Sequence, residues 1–141
     1  MAELESGSIS PHTALIYLMV VVAGVDRDLS DSELKRIGQI VRNMAIFEGY
    51  NHEMLVPAAE DCAQILNEDG GLEAVLALVY GALPDHVLET GYAIACDVAA
   101  VDGALSQEEL RVLEMIRHKF QIDRLVGAAI ERATAVRYRT L

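Results

Sequence analysis

Val22-Ala-Gly-Val-Asp-Arg-Asp-Leu-Ser-Asp-Ser-Glu-Leu-Lys-Arg-Ile37 and, 76 residues later, Val98-Ala-Ala-Val-Asp-Gly-Ala-Leu-Ser-Gln-Glu-Glu-Leu-Arg-Val-Leu113 are identical at eight of 16 positions. The pairs Ile40/Ile116 and Ile46/Ile122 extend the match. Each copy reads as an apolar helix, a short turn containing an aspartate, and an amphipathic helix that starts at a serine. One such hairpin cannot cover its own apolar face, whereas two packed together can. The repeat therefore predicts an all-α chain: a compact bundle of six or seven helices with an internal pseudo-two-fold helix-turn-helix repeat, its copies spanning about 10–46 and 86–122.

The rest of the sequence agrees. Three prolines and little period-two alternation argue against strands. Ser10-Pro11 places an N-cap before a proline at the first helical position and opens a helix through about Val25. Ser30 opens a second, with Leu34, Ile37, Ile40, Val41 and Met44 on one stripe. Pro57 is expected to open a third that ends near Asn67, and Leu72–Leu83 reads as a fourth. His86–Val101 is a fifth, Ser106 starts a sixth, and Asp123 caps a last helix to about Arg137. A chain of 141 residues is the size of one domain, 1–141, and buries about 68–70% of its unfolded surface.

Charge narrows the partners. The net charge is −11, which argues against nucleic acid, because phosphate contacts need clustered Lys and Arg. It is also unevenly spread: residues 43–110 carry 13 acidic groups and no Lys or Arg, while residues 111–141 carry seven basic and three acidic groups. The basic tail either folds back on the acidic middle or meets an anionic partner or neighbouring subunit, so a homo-oligomer stays open. Cys62 and Cys96 form no Cys-x-x-Cys pair and read as reduced core residues. The acidic start lacks a signal peptide's pattern, and the uncharged run Thr13–Val25 is short for a membrane span, which needs about 17–25 residues. A cytoplasmic protein without a membrane span is expected.

The turn segments resemble the tellurite-resistance TerB family, in which an Ala-rich helix ending in Ala-Asp-Gly leads through a short turn to a Ser-x-x-Glu-Leu helix start. Ala99-Ala100-Val101-Asp102-Gly103-Ala104-Leu105-Ser106-Gln107-Glu108-Glu109-Leu110 follows that pattern, with Val101 where Ala is commoner. The first copy departs from it at Arg27, which replaces the glycine. The resemblance covers roughly the whole chain. It implies an all-helical, non-catalytic bacterial stress-response protein with clustered acidic residues proposed to bind metal, and related domains that work beside membrane-associated proteins.

The carboxylates have two readings. Ser30-x-x-Glu33 and Ser106-x-x-Glu109 fit capping boxes, with Leu29 and Leu105 placed to staple the helix starts. Asp26 and Asp102 stand at helix C-termini, where the macrodipole disfavours negative charge, so each invites turn hydrogen bonds or a cation. Asp97 interrupts an apolar helix; it would join Asp102, bond Tyr92 or an arginine, or face solvent. As a candidate metal set, Asp26, Glu33, Asp97, Asp102 and Glu109 offer hard oxygen ligands, which favour Ca²⁺ or Mg²⁺ over Zn²⁺. The spacing is not that of an EF-hand, since Asp31 stands where its glycine belongs and Ile37 where its bidentate glutamate belongs. His12, His52, His86 and His118 have no zinc-type spacing and suit surface or capping roles. No catalytic triad order, nucleophile elbow, phosphate loop or dinucleotide fingerprint is present. The sequence thus points to a partner-binding module, with a cation at its turns as one reading and purely structural caps as the other.

Overall fold

A computed structural model describes residues 8–24, 30–100 and 106–141. Among them run seven α-helices and three short 3₁₀ turns: α1 (Pro11–Gly24), α2 (Asp31–Asn43), α3 (Leu55–Leu66), α4 (Gly71–Ala82), α5 (Leu88–Ala100), α6 (Gln107–Lys119) and α7 (Arg124–Arg137). No strand occurs among the described residues. α2 and α6 begin and end 76 residues apart, and so do the ends of α1 and α5, the same offset as the sequence match.

α1 is apolar all round and is accordingly the centre of the bundle. Every residue from Ala14 to Ala23 is buried, and the helix packs against α3, α4, α5, α6 and α2. α5 packs against α1, α6 and α7, while α3 packs against α1 and α4. The amphipathic α2 and α6 turn Ile37 and Val41, and Val112, Leu113 and Ile116, towards this core. Ser10 caps α1 as expected, its Oγ accepting from Thr13 N–H at 3.1 Å.

Two boundaries differ from the sequence expectation, each for a local reason. Pro57 does not open α3; a 3₁₀ turn, His52–Met54, leads into a helix that starts at Leu55. Asn51 Oδ1 accepts from Glu53 N–H and starts that turn, and Pro57 sits in the first helical turn, where its missing N–H has no helical partner to lose. A second 3₁₀ turn, Asp85–Val87, takes the place of the expected first turn of α5. The α3–α4 corner needs both of its glycines. Gly70 has φ +71°, and a Cβ on Gly71 would stand 2.0 Å from the Ile65 carbonyl oxygen.

His12 is the one histidine drawn inward. Its Nε2 lies 2.7 Å from the Ile46 carbonyl, and its ring stacks on Phe47 and meets Tyr50 edge-on, tying the segment after α2 to α1. The other three are exposed. Cys62 and Cys96 are buried and unbridged, as expected. No single helix among the described residues is long and apolar enough to cross a membrane, and α4 with the segment through α5 reaches that length only across a 116° bend.

Candidate functional site

The two serine-headed helix starts form the same structure. Ser30 Oγ accepts from Glu33 N–H at 3.2 Å, and Glu33 Oε1 accepts from the Ser30 N–H at 2.9 Å. Ser106 Oγ accepts from Glu109 N–H at 3.0 Å, with Ser106 N–H returned to Glu109 Oε1 at 2.9 Å. Both serines are extended, with ψ of 164° and 163°. These are complete capping boxes, so each glutamate has a structural partner. The environments differ: Glu33 is buried and takes a further bond from the Ser30 hydroxyl, whereas Glu109 is half-buried.

Asp97 meets an arginine rather than Tyr92. It pairs with Arg137 at the end of α7, so the basic tail does fold back on the acidic middle of the chain. Burial pushes its carboxyl above the ordinary aspartate range, against the opposing pull of the Arg137 guanidinium. Tyr92 donates instead to Glu131 Oε2 of α7 at 2.6 Å. Burial first, and that bond second, raise the Tyr92 phenol.

Of the five candidate ligands, Glu33, Asp97 and Glu109 thus have protein partners, and Asp26 and Asp102 lie outside the described residues, as do Leu29 and Leu105. Among the described residues no group of three or more His, Cys, Asp or Glu is placed to hold a metal ion. The thiols of Cys62 and Cys96 are pushed up to about 12 by burial, which keeps them protonated and poorly nucleophilic at neutral pH.

Beside the second capping box lies a feature that sequence reading does not single out. α6 and α7 both pack on α5, and an open groove of about 680 Å³ runs between them. Tyr92 lies in it; Leu110, Leu113, Arg111, Arg117 and Glu131 are among its walls. Leu110 is 45% exposed, and Arg117 Nε stands 4.0 Å from Glu131 Oε2 across the two helices. The groove comes from three helices far apart in sequence, and only Ser106-x-x-Glu109, which sets where α6 begins, announces any part of it.

No curated protein and no solved structure matches the chain. The family model described as tellurite resistance protein TerB matches residues 12–132, most of its length, and the chain belongs to that family.

Proposed function

We propose that the protein is a non-catalytic module of tellurite-resistance-type stress response that works by holding a protein partner in the groove between α6 and α7. The carrying observation is Leu110, a large apolar side chain left 45% exposed at the edge of a concavity that also offers charges of both signs. An apolar anchor with a polar rim is what a protein segment recognises. The protonated thiols and the pairing of Asp97 with Arg137, away from the residues lining the groove, favour binding over catalysis. A photo-crosslinking amino acid placed at 110 should capture a discrete protein in cells, and the same residue at exposed Gln39 on α2 should not. Equal labelling from both positions would sink the reading.

A divalent cation at the turns is the second reading. Its support is that the capping boxes hold Glu33 and Glu109 in the same pose beside the segments carrying Asp26 and Asp102. Ca²⁺ or Mg²⁺ would suit those oxygen donors. A cation that binds the folded protein raises its Tm, and that rise should disappear in Asp102→Ala. No rise in the wild type with Ca²⁺, Mg²⁺, Mn²⁺ or Zn²⁺ leaves the turns as caps alone.

A further inference from the structure

α3 and α7 occupy the two ends of a packing row. α3 rests on α1, α1 on α5, and α5 on α7, with no substantial packing of α3 on α5 or α7. Each end helix has an outward face that no other helix covers, and the two faces are of opposite charge. On α7 the buried side is Gly127 and Thr134, with Ile130 partly buried. Opposite them Leu125, Ala129, Arg132 and Val136 recur at helical spacing on the solvent side. Leu125 is 78% and Val136 48% exposed, and Arg124, Arg132 and Arg139 beside them are exposed and basic, while the acidic residues Asp123 and Glu131 are engaged by the Leu125 and Val126 amides and by Tyr92. On α3 the solvent side begins with Val56, 48% exposed, beside Met54, 53% exposed, and continues through Glu60 and Gln64. The exposed charges of this face, Glu53 in the preceding 3₁₀ turn and Glu60 and Asp61 in the helix, are all acidic.

From this complementarity we propose that the protein associates head to tail, the basic outer face of α7 in one molecule docking on the acidic outer face of α3 in a second. Each partner supplies a pair of exposed apolar side chains to the centre and charges of one sign to the rim, an arrangement that steers encounter and fixes orientation. Symmetric pairing of α7 with α7 would set Arg124, Arg132 and Arg139 against their own copies, and pairing of α3 with α3 would oppose carboxylates. The contact is therefore heterologous, and because its two halves sit on different helices it leaves a free face at each end for further addition. The inference extends the binding-module reading but uses surfaces other than the α6–α7 groove.

Sedimentation velocity on the full chain tests it. Wild type should form concentration-dependent oligomers at low salt that dissociate as salt rises. Arg132→Glu, which spoils the α7 face, and Glu60→Arg, which spoils the α3 face, should each be monomeric with unchanged helical circular dichroism, since both side chains are exposed. Mixed at equal amounts they should associate again, because one mixed contact keeps the native charges and in the other the exchanged charges at positions 60 and 132 are once more opposite in sign. A wild type that stays monomeric at millimolar concentration in low salt overturns the proposal. So do variants that associate like wild type, or a mixture that remains monomeric while wild type associates. Leu110→Asp should leave self-association untouched while disrupting the groove, so failure of one surface is distinguishable from failure of the other.

Discussion

Val21 and Asp97 hold the same position in the two copies of the sequence match, one 1% exposed in an apolar helix, the other a carboxyl paired with Arg137. What separates them is the neighbourhood of their helices. α1 packs against five helices, whereas α5 packs chiefly against α1, α6 and α7, and α7 brings arginine and glutamate side chains with it. Related sequences thus become a sealed core helix in one half and a helix with a polar seam in the other. The seam carries the Tyr92–Glu131 bond and borders the groove, so the half that can tolerate polar side chains is the half that can present a surface.

Exchanging the two residues breaks the comparison most severely. Val21→Asp places a carboxylate at a position only 1% exposed in an apolar helix, and an uncompensated buried charge costs about 3–5 kcal/mol. Urea denaturation should show that loss, or failure to fold. Asp97→Val leaves Arg137 half in water, where its charge is solvated, and should change stability by about 1 kcal/mol or less. Similar losses from both exchanges would mean that the two helices are equally enclosed.

The capping boxes sharpen the comparison at a smaller scale. Glu33 is buried and receives both the amide and the hydroxyl of Ser30, while half-buried Glu109 receives the Ser106 amide alone. An amide left without its partner costs more where water cannot replace it. Glu33→Ala should approach about 2 kcal/mol and Glu109→Ala about 0.5 kcal/mol, within the range of N-terminal caps. Thermal unfolding monitored by circular dichroism measures both, and a larger loss at Glu109 would place the more demanding box in the second half.

Legibility followed range. The uncharged run of α1 and the two Ser-x-x-Glu starts were readable because helix burial and capping are decided within a few residues. The start of α3 was misplaced because proline is a strong local signal and the Asn51 cap is a weaker one. At the candidate site, local pattern marked Glu33 and Glu109 as caps. It left Asp97 with several possible partners, since Arg137 lies 40 residues away and meets it only through the packing of α7 on α5. The groove was invisible for the same reason: Tyr92, Leu110 and Glu131 have no spacing that relates them.

The smallest effect concerns the polar seam itself. Burial outweighs Arg137 at Asp97, so the folded protein holds this proton more tightly than the unfolded chain does. A carboxyl whose folded pKa is raised favours folding more as pH falls through that pKa, and its ionised form is a net cost above it. Asp97→Asn removes the ionisation while keeping the shape. Relative to wild type, the variant should therefore be most stable at neutral pH and lose that advantage as pH falls towards the ordinary aspartate value of about 3.9. Urea midpoints of both proteins across that interval measure the difference. If instead the variant is least stable, relative to wild type, at neutral pH, the Arg137 pair outweighs burial, and the seam between α5 and α7 is held by charge rather than merely tolerating it.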